Sequence, residues 1–151
     1  MEAHYYEVNV EWKKGRLGIF SSPEIDNKIN CTDEGIEVAT PPEFPQGIEK
    51  IWSPEHLFTA SVAGCLMTTF LAIAENSKLE FSSFKCLSKG KLEQVDGKYL
   101  MTEIYLQPVI GISAEKDRER AMRIAEKSEK ACLISNSIKS KTIFNPVIEL
   151  N

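Results

Sequence analysis

The side chains best equipped for covalent chemistry in this chain are its four cysteines, Cys31, Cys65, Cys86 and Cys132. None belongs to a C-x-x-C pair, and the histidines are only His4 and His56, so the closely spaced ligands of a zinc site are missing. No zinc site is expected. A structural disulfide framework is not expected in a reducing compartment. On residue type alone each thiol reads as a small buried hydrophobe. Glu55 reads in the same way as a carboxylate at a helix start, and Arg16 as a solvated turn residue in Lys13-Lys14-Gly15-Arg16. His56 reads as a surface residue of a first helical turn, and Trp52 as a packing anchor rather than the lining of a pocket mouth.

The elements that carry these residues follow from periodicity. Tyr6, Val8, Val10 and Trp12 alternate with Glu7, Asn9 and Glu11, the period of a half-buried strand. A turn through Gly15 and Gly18 leads to a second strand from Ile19, and Gly35 to Thr40 supplies a third. Prolines 41, 42 and 45 then mark an exposed connection with a lid-like segment, 41–50. Ser53-Pro54-Glu55 combines a hydroxyl N-cap, proline at the first helical position and an acid at the positive dipole end, so a helix is expected from there to about Asn76. Its middle, with Val62, Ala63, Cys65, Leu66, Met67, Phe70, Leu71 and Ile73, is apolar on nearly every side, which predicts burial all round. A chain this small can hardly wrap such a helix, so a second subunit is expected to cover the remainder. Phe84–Val95 and Tyr99–Ile112 read as strands of a hairpin turning at Asp96-Gly97, with Pro108 placing the second at an edge or in a bend. A second helix is expected from Ala114 to about Cys132, a short turn after Ser135, and a last strand from Thr142 to Leu150 pushed to an edge by Pro146. The order predicts an α+β domain over residues 1–151, its sheet packed on two principal helices.

Bulk properties set outer limits. Of 151 residues, 42% are hydrophobic and 26% charged, the mix of an ordinary globular domain. A net charge of −4 disfavours a phosphate-binding surface, which needs clustered Lys and Arg, so no nucleic-acid partner is expected. The first residues, MEAHYYEVNVEW, lack the basic start and apolar run of a signal peptide, and Ala60–Ala74 is too short to cross a bilayer. The expected location is the cytoplasm, with no membrane contact.

Three segments carry a family resemblance. WSPEHLFTASVAGCLMTTFLA, from Trp52, resembles the central-helix signature of the OsmC/Ohr family, in which Pro-Glu opens the helix and a peroxide-reactive cysteine follows. EKACLISNSIKS, from Glu129, resembles the family's second cysteine motif, and Gly15-Arg16-Leu17-Gly18 resembles the turn bearing its active-site arginine. The resemblance implies antiparallel sheets packed around a long buried central helix plus a second helix, in an intertwined homodimer. It also implies a thiol-dependent peroxidase that reduces organic hydroperoxides and needs no metal or bound cofactor. Cys65 would become a sulfenic acid and Cys132 would condense with it to a disulfide. Arg16 would stabilise charge at the reacting centre with Glu55 orienting it, and an external dithiol, lipoyl-type or other, would reduce the pair. One departure stands out: Leu133 follows Cys132 where many members carry proline. Cys31 and Cys86 match no motif and are expected to be structural.

Spacing adds a constraint of its own. Glu55 and Cys65 are separated on one helix by about 15 Å of rise and roughly 80° of rotation. A Glu55–Arg16 pair therefore reaches Cys65 only if the helix breaks or if two chains build the pocket, and the two-chain pocket also accounts for the apolar helix. The competing function is a non-catalytic protein that holds a small apolar ligand in the same dimer-interface pocket. An RNA-binding domain would require a basic face or a clear Gly-x-x-Gly clamp, and the acidic balance argues against it.

Overall fold

Alternation in the first strand decides which side of the sheet becomes the core. In the computed structural model, which describes residues 2–15, 17–26, 31–32, 35–36 and 38–151 (backbone only at 13–14, 17–19, 31–32 and 35–36), β1 spans His4–Lys14. Tyr6, Val8 and Val10 are buried on its inner face, while Glu7, Asn9 and Glu11 point the other way. β1 pairs antiparallel with β2 (Leu17–Ser21) through a turn at Gly15, whose φ of +54° suits glycine. Two short strands, β3 (Cys31–Thr32) and β4 (Gly35–Ile36), form a separate ribbon. Of the strand expected from Gly35 to Thr40, the described residues show β4 and one bridge between Val38 and Trp52, and Glu37 lies outside them. The 41–50 segment is closed on itself, Ile48 N bonding Thr40 O at 2.9 Å, and its Phe44 ring meets Tyr99.

α1 spans Pro54–Asn76, as its start signals predict: Ser53 Oγ accepts the His56 N–H at 3.1 Å, and Pro54 gives up a donor that the first turn does not need. The helix packs on the sheet through Thr59, Ala60, Ala63, Met67, Phe70 and Ala74. Gly90 permits the closest approach, because a Cβ there would lie 2.3 Å from Thr59 Oγ1. Burial is not complete all round. Ser61 and Thr68 are exposed, and Gly64, Cys65 and Ala72 half-buried, so one stripe of small residues is left uncovered in the monomer. By length and composition the full 23-residue helix is also long and apolar enough to cross a membrane, which corrects the expectation drawn from its shorter apolar centre. In the fold that helix is the core element of the sheet's inner face.

β5 (Ser83–Val95) and β6 (Lys98–Ile112) form the expected hairpin, with Asp96 and Gly97 at φ of +49° and +78°, a two-residue turn of the primed kind. The sheet runs β2-β1-β5-β6-β7, with β8 also on β6, so β6 is interior and not an edge strand. Pro108 is accommodated by an interruption. Leu106 O and Ile112 O accept hydrogen bonds from Asn145 N and Asn151 N, so even-numbered groups of β6 face β7 and β8. Pro108 shares that parity, and its missing N–H falls in the gap between β7 (Lys141–Phe144) and β8 (Val147–Leu150). The single last strand expected from Thr142 is thus two strands broken at Asn145-Pro146. Both run parallel to β6, which makes the sheet mixed where the sequence suggested antiparallel pairing.

The second helix begins later than Ala114. A 3₁₀ turn at Glu115–Asp117 precedes α2, Arg118–Ala131, because Arg118 turns back to hold both Glu115 carboxylate oxygens and Ile148 O. α2 buries Ala121, Ile124, Ala125 and Ser128 against the core. Cys132, with φ −63° and ψ +111°, ends it and also caps α3, Leu133–Ser137, which replaces the short turn expected after Ser135.

Candidate active site

Cys65 and Cys132 are brought together by α1 and the α2–α3 joint. Cys65 lies on the uncovered stripe of α1, half-buried, with the Thr69 hydroxyl one turn on at 4.0 Å. Cys132 is fully buried at the α2–α3 junction, against Cys65. The main-chain N–H of Ile134 donates to Cys65 Sγ over 3.5 Å. Burial pushes the Cys132 thiol up, and the neighbouring Cys65 sulfur raises it further; the Ser135 amide opposes both. The Ser135 hydroxyl also faces this sulfur and lowers the thiol as the amide does. Both thiols are free. The expected meeting of the two cysteines is therefore present in the reduced chain.

Glu55 is on the same helix as Cys65, three turns earlier, as its spacing required. Its Oε2 is buried and has no hydrogen-bond partner among the described residues. A buried carboxylate oxygen without a donor is costly, about 1–3 kcal/mol or more, so this atom is suited to take one. Arg16, the expected donor, lies outside the described residues, as does the side chain of Cys31. Cys86 is fully buried under the sheet's inner face, 3.4 Å from Ser88 Oγ, and burial pushes its thiol up to about 11. A thiol held protonated by its surroundings is a poor nucleophile, which fits the structural role expected for it.

His56 corrects the surface role read from its position. Only 4% of it is exposed, and both ring nitrogens are engaged. Nε2 bonds the Glu24 carboxylate and Nδ1 lies 2.7 Å from Ser53 Oγ. An ionised carboxylate can only accept, so Nε2 carries a proton toward Glu24, while Nδ1 pairs with the Ser53 hydroxyl. The chain Ser53–His56–Glu24 has the residue types of a hydrolytic triad, yet Ser53 is completely buried and already serves as the N-cap, so no substrate reaches it. Its effect is to tie the start of α1 to the segment after β2. Tyr6 stacks edge-on to His56 at 5.0 Å and donates to Glu43 at 3.3 Å. Burial, then the carboxylates of Glu43 and Glu55, drive the Tyr6 phenol far above its ordinary range. Trp52 is buried as the expected packing anchor, with its indole N–H unpartnered among the described residues. A Ser-Pro-Glu-His start already contained the signal for His56, since a residue three after the N-cap faces the cap side chain; Glu24, distant in sequence, gave none.

Among the described residues no group of three or more His, Cys, Asp and Glu is placed to hold a metal ion. A hollow of about 420 Å³ on the outer sheet face is lined by Asn9, Lys89, Tyr105 and Gln107 among others, and a smaller one, about 230 Å³, opens over His56 and Glu24. Neither is lined by Cys65.

A mixed sheet carrying one long central helix, with a cysteine in that helix met by a second from the following helical pair, defines the class. The model of the family described as OsmC-like protein matches residues 47–146, and the chain belongs to that family. The Bacillus subtilis (strain 168) protein YmaD is 22% identical over 144 residues, covering 92% of this chain and 89% of YmaD. The organic hydroperoxide resistance protein of Elizabethkingia anophelis has the same fold, with a TM-score of 0.62, 21% identity and full coverage of both chains. An organic hydroperoxide resistance protein OsmC of Legionella pneumophila aligns with a TM-score of 0.61 and 18% identity over 99% of this chain and 98% of its own.

Proposed function

We propose that this protein is a thiol peroxidase that reduces organic hydroperoxides to alcohols. The observation that carries the reading is the contact between a half-exposed Cys65 and a buried Cys132, drawn from distant parts of the chain. Relatives of the same fold named for organic hydroperoxide resistance support the substrate class. The Cys65 thiolate attacks the outer peroxide oxygen, the O–O bond breaks, and the alkoxide leaves and takes a proton, giving Cys65 sulfenic acid and an alcohol. Cys132 sulfur then displaces water from that sulfenic acid to form the disulfide. An external dithiol returns two electrons and two protons by exchange and becomes a disulfide itself. Arg16 stabilises the departing alkoxide, and Glu55, with its unpartnered oxygen, orients the guanidinium.

The ten-residue interval between Glu55 and Cys65 is unbroken helix, so Arg16 and Glu55 of one chain act on the cysteines of a second. The uncovered stripe beside Cys65 is where that second chain packs. Its apolar flank favours organic over strongly hydrated small peroxides. Recycling by a dithiol suits a reducing compartment, the cytoplasm.

The test is to treat reduced protein with an organic hydroperoxide and follow peroxide loss, with mass spectrometry for a Cys65–Cys132 disulfide. Cys65→Ser abolishes consumption, and Cys132→Ser accumulates over-oxidised Cys65. Arg16→Ala slows the first step. If both cysteine variants consume peroxide like the parent, the enzyme reading is lost and binding of a small apolar ligand in the same crevice takes its place.

A further inference from the structure

Resting on the reading of Cys65 and Cys132 as a redox pair, we propose that the main-chain N–H of Ile134 is a positioning group for the Cys65 sulfur. It holds that sulfur against Cys132 in the reduced protein and thereby sets the potential of the pair. The bond runs from Ile134 N to Cys65 Sγ over 3.5 Å, and it links the second residue of α3 to the middle of α1.

α3 makes this donor both free and fixed. Ile134 lies in the first turn, where main-chain N–H groups have no partner within the helix. The turn itself is closed by Asn136 N on Cys132 O at 3.0 Å and by Ser137 Oγ on Leu133 O at 2.7 Å. Asn136 Nδ2 reaches back to Lys130 O at 3.1 Å, tying α3 to the end of α2. The Ile134 side chain packs against the main core, so the amide beside it cannot swing freely. The Leu133 side chain, between the cysteine and the donor, is exposed, the residue as a whole by 70%, and only its main-chain carbonyl shares in this anchoring. One turn of chain thus supplies both the second sulfur, as its cap, and the donor that the first sulfur accepts.

The energetic consequence has a definite sign. A thiol or thiolate sulfur accepts a hydrogen bond better than a disulfide sulfur, whose electron density is shared with its bonded partner. The Ile134 bond therefore favours the reduced pair. In the exchange, Cys65–S–S–Cys132 and a dithiol become two protein thiols and a new disulfide, two electrons and two protons being transferred. The protein regains the Ile134 bond in that step, and its loss on oxidation makes the pair a stronger oxidant of its dithiol partner.

The experiment equilibrates the protein in dithiothreitol redox buffers, traps thiols by alkylation and measures the Cys65–Cys132 disulfide by mass spectrometry. Ile134→Pro removes the N–H at a position in the first helical turn where proline is tolerated. Replacing Ile134 by its α-hydroxy analogue turns the amide into an ester, which removes the same hydrogen and keeps the side chain. Both are expected to shift the equilibrium about tenfold toward the disulfide, or roughly 30 mV more negative. Ile134→Val, which keeps the amide, leaves the potential where it was. A parental potential in the ester variant overturns the proposal, whether or not the proline variant folds, and so does a parent that forms no Cys65–Cys132 disulfide with diamide. Peroxide turnover is not read. A shifted potential in a protein without peroxidase activity would therefore remove the proposed function and leave this inference standing.

Discussion

Cys86 and Cys132 are both buried cysteines, and their surroundings separate them. Cys86 faces the core and a serine hydroxyl; Cys132 faces Cys65. The folded Cys86 thiol titrates at about 11 against an ordinary 9.0. A folded value above the unfolded one means that its contribution to stability is whole below about pH 9 and is lost as pH rises through 11. Cys86→Ala should therefore lower stability at neutral pH yet flatten the fall in urea midpoint between pH 9 and 11 relative to the parent. Identical slopes in the two proteins would dismiss this account. His56 is the other residue whose environment overrides its type. Removing its ring takes the Nδ1 partner from a buried Ser53 hydroxyl, which keeps only the main-chain N–H of residue 56, so His56→Ala should cost about 1–3 kcal/mol in urea unfolding. A loss under about 0.5 kcal/mol would mean that His56 behaves as the surface residue its position suggests.

At the scale of elements, the site depends on how closely α1 lies on the sheet. Gly90 sets that distance: an added Cβ would meet Thr59 Oγ1 at 2.3 Å and Met101 Cε at 2.5 Å. Thr59 is fully buried and its hydroxyl already bonds Glu55 O at 2.9 Å, so it has nowhere to retreat. Gly90→Ala should destabilise by about 1–3 kcal/mol through overpacking. It should also lift the N-terminal half of α1, slowing disulfide formation in proportion. Thermal unfolding and the rate of Cys65–Cys132 closure measure the two effects, and a variant as stable as the parent would show that α1 has slack. The joint between α2 and α3 matters for the other sulfur, since Cys132 ends one helix and caps the next within a single extended residue.

For the molecule as a whole, the uncovered stripe of α1 carries Ser61, Gly64, Cys65, Thr68 and Ala72, all small enough to let another backbone approach closely. Phe20 already shows how tight that surface is, with its ring tip 2.8 Å from the position of a Cβ on Gly64. A second copy packed here would complete the pocket and cover the helix. Thr68→Glu introduces a charge at the centre of that contact. It is expected to convert a dimer to a monomer by light scattering and to abolish peroxide consumption, while the fold remains intact by circular dichroism. An active monomer would defeat the two-chain pocket.

The start and length of α1, the hairpin at Asp96-Gly97 and the inward face of β1 were legible in the chain, because caps, turns and alternation act over a few residues. The two cysteine motifs were legible through their resemblance to a family. What local pattern could not supply was partnership across the fold. Pro108 marked a break in hydrogen bonding, but only the pairing of β6 with two successive strands decided that the break lies inside the sheet. His56 stood beside its cap in the sequence, while its second partner, Glu24, arrives from another strand connection. The residue types and order alone determined that this chain makes a capped apolar helix with a thiol in its middle. Tertiary packing decided which thiol meets it and which amide holds it, because contact between distant segments depends on the summed geometry of every element between them.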